Sequence, residues 1–137
     1  MNNSGQLAGN NVISKSSPVQ IGTSSWSNIG VGNSQAFAIR SDGGLFAWGQ
    51  NTGGFLGLNS NITYSSPVQV GTSSWSSVGG RWAQVGAIRI DGSLFTWGFN
   101  NNGQLGNNNT TAYSSPVQIG TSSWISVNAG YKNTFAI

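Results

Sequence analysis

The feature that most constrains the fold is an internal repeat of 49 residues. SSPVQIGTSSW at residues 16–26 returns as SSPVQVGTSSW at 65–75 and as SSPVQIGTSSW at 114–124, with no insertion or deletion between copies. Fixed periods of about 20–50 residues are typical of arrays in which each unit completes its core against its neighbours. We therefore treat residues 1–137 as a single repeat domain with units 1–49, 50–98 and 99–137, the third being ten residues shorter than the others.

Each of the first two units contains apolar runs on both sides of an Asp-Gly pair. Asp42-Gly43 lies inside AFAIRSDGGLFAWG, and Asp91-Gly92 has the same place in the second unit. Asp-Gly is typical of a two-residue type I′ hairpin turn, in which both central residues have positive φ. We therefore predict structural hairpin turns at Asp42, Gly43, Asp91 and Gly92. A two-residue turn also predicts that Ile39 lies opposite Phe46.

Two further short strands are predicted in each unit. PVQ(I/V)G and W-S-x-(I/V) are separated by Thr-Ser-Ser, which we interpret as a tight turn. Proline at the start of the first of these strands fits a position that donates no hydrogen bond to the sheet. Four strands per unit with tryptophan at fixed places are typical of a propeller blade. The predicted fold class is all-β: a partial β-propeller of about three blades, built from four-stranded antiparallel sheets.

The tryptophans fall into two groups. Five of the six occupy two repeating positions, which predicts that they fill the cores of the blades. The sixth, Trp82, has Asn33 and Tyr131 at the equivalent places, so this position is not kept by the repeat. The predicted core tryptophans are Trp26, Trp48, Trp75, Trp97 and Trp124.

The units differ most where the chain passes through the predicted innermost strand, at residues 27–37, 76–86 and 125–135. Such variation beside a constant frame indicates a loop or rim. Exposed aromatic and cationic side chains in that place suit recognition of proteins or glycans. We predict a partner-binding surface at Arg81, Trp82, Tyr131 and Lys132, and the alternative interpretation is ordinary loop variation.

The residue types argue against catalysis. The chain has no His, no Cys and no Glu, so the usual general bases and activated nucleophiles are missing. Its two carboxylates, Asp42 and Asp91, are the turn residues described above. We predict that the protein is not an enzyme, that it has no catalytic residues and that it uses no cofactor and no metal.

The charges give further expectations. The five cations are scattered through the chain, which argues against nucleic acid as a partner. No apolar run is long enough for a membrane span, and no signal peptide is recognisable. The localisation is unknown from these features, although a surface rich in Asn, Ser and Thr favours an extracellular or virion setting.

Four linked motifs resemble the regulator of chromosome condensation repeat. They are N-x-x-G-Q-L-G at 100–106, S-P-V at 115–117, G-Y-x-x-T-x-A-I at 130–137 and D-G-x-L-F-x-W-G at 91–98. The resemblance implies a propeller, seven-bladed in the family, and in some members nucleotide exchange on a small GTPase. The sequence departs from the family pattern at several positions. The family's usual His is Gln35, Gln84 and Asn133 here, Arg81 stands at a Gly position, and Ala8 and Phe55 replace Gly and Gln.

An arc of fewer than three blades leaves two apolar end faces and an unpaired strand edge. We therefore predict a homo-oligomer or association with further propeller repeats. The predicted function is a non-enzymatic structural or binding module that presents a loop face to a protein or glycan. The alternatives are an intracellular regulator of the guanine-nucleotide-exchange type, and an engineered or evolutionary propeller fragment without its own activity.

Overall fold

A computed structural model describes all 137 residues as nine β-strands with no helix. No helical segment capable of crossing a membrane is therefore present. The strands are β1 Trp26–Val31, β2 Gln35–Arg40, β3 Gly44–Gly49, β4 Tyr64–Arg81, β5 Gln84–Arg89, β6 Ser93–Gly98, β7 Tyr113–Ser123, β8 Val127–Ala129 and β9 Thr134–Ala136.

The strands form two complete blades and the start of a third. The first blade consists of β1, β2, β3 and the first part of β4, and the second blade consists of the second part of β4, β5, β6 and β7. The third hairpin consists of β8 and β9. All neighbouring strands are antiparallel, so the predicted all-β partial propeller with four-stranded antiparallel blades is confirmed.

The predicted tight turn at Thr-Ser-Ser is wrong. β4 is one strand of 18 residues that leaves the first blade and enters the second. Its Val68 pairs with Ala47 of β3, whereas its Val78 pairs with Ala87 of β5. If the chain reversed at Thr-Ser-Ser, it would return to the first blade, where the second half of β4 has no strand to pair with. Because the chain continues forward instead, the backbone N–H and C=O groups of both halves of β4 find partners. Pro67 also lies inside β4, at a shift in the pairing with β3, and not at the first residue of the strand.

The predicted hairpin register is wrong by one residue. Ile39 pairs with Leu45, not with Phe46. Of Asp42 and Gly43 only the glycine has positive φ, at +88°, and its N–H donates to the Arg40 carbonyl at 2.8 Å. The loop therefore has three residues and ends on a left-handed glycine, a geometry that also matches the twist of a hairpin. The second blade repeats this turn, with Gly92 at φ +85°.

One predicted strand is missing. Residues 16–25 have the same sequence as residues 114–123, which lie within β7, yet they form no strand. β7 pairs with β6, whereas no strand lies beside residues 16–25. The partner strand and not the local sequence therefore decides whether this motif becomes β-structure.

The core lies between successive blades. A cluster of twelve buried side chains joins the first blade to the second, and Phe37 contributes a ring 6.3 Å from that of Trp97. Each complete blade also contains an edge-to-face pair, Trp26 with Phe46 at 5.5 Å and Trp75 with Phe95 at 5.4 Å. Of the five repeating tryptophans, Trp48, Trp75 and Trp97 are buried, while Trp26 and Trp124 are half-buried.

Three buried asparagines, spaced by the repeat, fix the loops that follow the hairpins. Asn51 accepts a hydrogen bond from the Leu56 N–H at 2.9 Å and donates to the Ser60 carbonyl at 2.8 Å. In this conformation the loop presents the Phe55 carbonyl to the Trp97 indole N–H of the second blade, at 3.0 Å. The other two asparagines, Asn2 and Asn100, accept and donate in the same pattern.

Candidate partner-binding groove

The variable stretches lie where three strands stack closely. β1, the second half of β4 and β8 run side by side at the contact between successive blades. The approach is so close that a Cβ on Gly79 would lie 2.6 Å from the Val127 carbonyl oxygen. The turns that follow these three strands, at residues 32–34, 82–83 and 130–133, are called the inner turns. They therefore lie next to one another along one edge of the arc.

A groove of about 590 Å³ crosses these turns. Three of the four predicted binding residues line it, namely Arg81, Trp82 and Tyr131. Lys132 lines a neighbouring cavity, with its Nζ 5.8 Å from the centre of the Tyr131 ring. The groove is lined by Val31, Gly32, Asn33, Gly80, Arg81, Trp82, Asn128, Ala129 and Tyr131.

Trp82 has an unusual backbone conformation. It is the first residue of a two-residue turn between Arg81 and Gln84, with φ +57°. A bulky residue at positive φ is rare and costs about 1–3 kcal/mol. The indole is 36% exposed, and it packs on the edge of Phe99 at 5.1 Å and at 48° to the Tyr131 ring at 5.5 Å. Packing therefore holds a strained aromatic residue at the surface of the groove.

Arg81 changes the turn as well as its charge. In the first blade the equivalent residue is Gly32, where an added Cβ would collide with the amide of Gln35. Arg81 has a Cβ at this place, and the amide of Gln84 extends instead to the third hairpin. There its Nε2 donates to the Gly130 carbonyl at 2.6 Å. Arg81 therefore occurs together with a hydrogen bond, made by Gln84, that joins the second blade to the third hairpin.

The groove edge is positive because the carboxylates lie at the other end of the strands. Asp42 accepts three hydrogen bonds from Arg40, among them Nε to Oδ2 at 2.9 Å, and this partner lowers the pKa of the Asp42 carboxyl. The backbone N–H of Ser93, at 2.9 Å, lowers the pKa of Asp91. The Arg40–Asp42 pair is the one salt bridge in the structure, so Arg81 has no carboxylate partner.

The chemical groups in the groove suit binding. Its lining contains aromatic rings, amide side chains and one guanidinium, with no carboxylate among them. No group of three or more His, Cys, Asp or Glu side chains is found anywhere in the structure. The four predicted hairpin-turn residues lie in the two turns at the opposite edge and take no part in the groove.

Sequence reasoning missed several residues that line the groove or support its lining. Phe99 supports Trp82, and its equivalents are Gln50 and Met1, so an aromatic residue that departs from the repeat was a detectable signal. Asn128 replaces a glycine of the other units and could have been found in the same way. The role of Gln84 depends on the displacement of its amide, which no sequence pattern encodes.

The stacked antiparallel blades define a β-propeller repeat protein, with a groove across its inner turns. The sequence profile of the Regulator of chromosome condensation (RCC1) repeat matches residues 42–87 and 91–137. The chain belongs to this family, which confirms the resemblance found in its motifs. Comparison with curated proteins found no match.

Solved structures share this fold. Human WBSCR16 superimposes with a TM-score of 0.78 at 20% identity over 95% of this chain and 36% of its own. Yeast RCC1 (Prp20) bound to Kap60 gives 0.75 at 15% identity over 85% and 30%. Prp20p from Saccharomyces cerevisiae, described with its binding to Gsp1p and histones, gives 0.72 at 16% identity over 86% and 31%. The chain thus spans about a third of each of these chains.

Proposed function

We propose that this chain is a non-catalytic propeller module that binds a protein partner through the groove at its inner turns. The observation that carries the proposal is Trp82, a bulky residue kept at positive φ and left partly exposed. Trp, Tyr and Arg are the residue types that contribute most to protein–protein binding energy. All three line the groove, as Trp82, Tyr131 and Arg81.

Ordinary loop variation explains Trp82 less well. A turn position with positive φ that is free to vary takes Gly or Asn, because these residues adopt that conformation at little cost. The equivalent residues of the other two units, Asn33 and Tyr131, do not have positive φ, so the strained backbone belongs to the second unit alone. A conformational cost of about 1–3 kcal/mol is easier to understand when the exposed ring has a role in binding.

A glycan partner is the second candidate. Asn33 and Asn128 bring amide groups into a groove that also contains two aromatic rings. Amides can hydrogen-bond sugar hydroxyls, while the rings cover the apolar face of a sugar. The exchange-regulator role named above has no comparable feature in these residues.

Both ends of the arc support association with further blades. Ile29 is 73% exposed at one end, whereas its equivalent Val78 is 4% exposed between blades. At the other end Phe135 is 62% exposed, whereas its equivalent Phe37 is 1% exposed. We propose that another blade of the same repeat type covers these faces, from additional repeats or from a second copy.

A display experiment tests the binding role. Random peptides on phage and an array of glycans are probed with the wild type, with Trp82→Asn and with Lys15→Tyr. Each substitution introduces the residue that another unit has at the equivalent position. Lys15 lies outside the groove, so Lys15→Tyr is the control. We expect selected peptides to bind Trp82→Asn at least about tenfold more weakly, because central aromatic contacts dominate such sites.

The controls separate the alternatives. Circular dichroism must be unchanged in Trp82→Asn for the comparison to count. Ligands that bind wild type and Trp82→Asn equally would contradict the proposal, and Trp82-dependent binding of glycans alone would favour the second candidate. Native mass spectrometry tests the end faces, where a stable monomer that does not aggregate would exclude assembly through a second copy.

A further inference from the structure

We infer that the segment taken by the groove is acidic: an extended peptide with carboxylates next to an apolar side chain. This inference rests on the proposed function and names the chemistry of its partner. The supporting observation is a difference in net charge between the two edges of the arc, because both carboxylates lie at one edge, where Arg40 and Arg89 balance them. Asp42 and Asp91 lie in turns at one edge, and Arg81 lies at the other.

The groove edge has cations without carboxylates. Arg81 is exposed and has no ion pair, and the same is true of Lys132, which borders the groove. None of the groove-lining residues is acidic. Guanidinium groups bind carboxylates through two parallel hydrogen bonds, so Arg81 can fix the position of an acidic side chain.

A cationic ligand fits less well. Aromatic rings such as those of Trp82 and Tyr131 can surround an ammonium group. Arg81 lines the same groove, however, and the Lys132 ammonium already lies 5.8 Å from the centre of the Tyr131 ring. These two cations repel a cationic ligand and attract an anionic one.

The apolar part of the groove suits an apolar side chain next to the carboxylate of the peptide. The rings of Trp82 and Tyr131 meet at 48° and form a corner, not a flat plate. Val31 and Ala129 complete the apolar lining across the neighbouring turns. An aliphatic or aromatic residue of the peptide can occupy this corner while an adjacent carboxylate reaches Arg81.

Three labelled peptides of equal length test the inference by fluorescence anisotropy. The first alternates Asp or Glu with Leu, the second has Asn or Gln in the acidic places, and the third has Lys there. We expect the acidic peptide to bind at least about tenfold more tightly than the amide peptide, and the Lys peptide most weakly. Raising the salt concentration should weaken binding of the acidic peptide most.

Four proteins are compared: the wild type, Arg81→Gly, Lys132→Ser and Lys15→Tyr. Each variant loses one positive charge and takes a residue from another unit, Gly32, Ser34 and Tyr64 respectively. The long-range effect of net charge is therefore matched. We expect Arg81→Gly to lose about tenfold in affinity for the acidic peptide, Lys132→Ser about threefold, and Lys15→Tyr less than twofold.

Several outcomes would overturn the inference. Equal binding of the acidic and amide peptides, or an equal loss in Lys15→Tyr and Arg81→Gly, would show that the groove does not select carboxylates. If the amide peptide then still loses affinity for Trp82→Asn, the variant of the display experiment, the proposed protein-binding role stands alone. If no peptide depends on Trp82, both proposals fail. Tighter binding of heparin or single-stranded DNA, with the same dependence on Arg81, would replace the peptide by a polyanion.

Discussion

The first and second blades have the same strands and the same core packing, which together are called the frame here. Their inner turns differ. Trp26 packs on Phe46 in one blade as Trp75 packs on Phe95 in the other, with ring distances that differ by only 0.1 Å. At the inner turn, however, the first blade has Gly32-Asn33 and the second has Arg81-Trp82. The comparison teaches that packing fixes the frame, while the turns at its inner edge are free to acquire binding chemistry.

The largest expected effect comes from removing a buried part of the shared frame. Trp97→Ala deletes a fully buried indole and its hydrogen bond to the Phe55 carbonyl. We expect a loss of about 3–5 kcal/mol in the free energy of unfolding, measured by urea denaturation, because the substitution leaves a cavity that the neighbouring side chains fill only in part. Trp124→Ala, at the half-buried equivalent of Trp75, should cost clearly less. Equal losses would mean that the ends of the arc are packed as well as its interior.

The next effect concerns the buried asparagine that both complete blades share in their loops. Asn51→Ala leaves the Leu56 N–H and the Ser60 carbonyl without their partner. We expect a loss of about 2–4 kcal/mol, because each buried unpaired group costs about 1–3 kcal/mol. Asn61→Ala is the matched control, since Asn61 is exposed. A loss in Asn51→Ala no larger than in Asn61→Ala would refute the role of the buried amide.

The frame was the part of the structure that the sequence predicted best. Residues such as Ile39 and Ile88 recur in register because each blade must fill the same space, so repetition reveals strands, hairpins and core together. The course of β4 was not predictable from Thr-Ser-Ser, since the choice between turning and continuing depends on partner strands in two different blades. The hairpin register likewise depends on the φ of Asp42, which a dipeptide pattern leaves open.

The candidate site was predictable in part because it departs from the repeat. Trp82 and Tyr131 stood out as aromatic residues at a position with no fixed identity, and the structure places both on one groove. Lys132 belongs to the predicted set as a cationic residue of the same variable stretch, yet its side chain lines the next cavity. The bond from Gln84 to the third hairpin escaped notice because it crosses between blades.

A smaller effect tests whether the inner turn is separable from the frame. Trp82→Asn gives the second blade the turn residue of the first. Loss of contacts with Phe99 and Tyr131 should be offset by relief of the positive φ, since Asn adopts it more readily. We expect the free energy of unfolding to change by less than about 1 kcal/mol, while binding falls at least about tenfold. A large loss of stability would mean that the turn belongs to the frame.

The smallest effect distinguishes the outer turns of the two blades, which are the hairpin turns at Asp42-Gly43 and Asp91-Gly92. The pKa of Asp42 is lowered mainly by Arg40, and that of Asp91 mainly by the Ser93 N–H. Because both carboxyls bind protons more weakly in the folded protein, their stabilisation is present above the ordinary Asp pKa of about 3.9 and is lost as the pH falls through the lowered folded value. An exposed ion pair is screened by salt, whereas a hydrogen bond from the adjacent backbone is screened less.

Urea unfolding midpoints measured below and above the ordinary Asp pKa, at about 0.05 M and about 0.5 M NaCl, should therefore separate the contributions of the two carboxylates to stability. Asp42→Asn should remove a part of the acid sensitivity that weakens with salt, and Asp91→Asn a part that does not. Asn keeps the side-chain acceptor in both turns, so the turn itself is preserved. An Asp42 contribution as insensitive to salt as that of Asp91 would show that the Arg40–Asp42 ion pair contributes nothing measurable, and the outer turns of the two blades would then be equivalent.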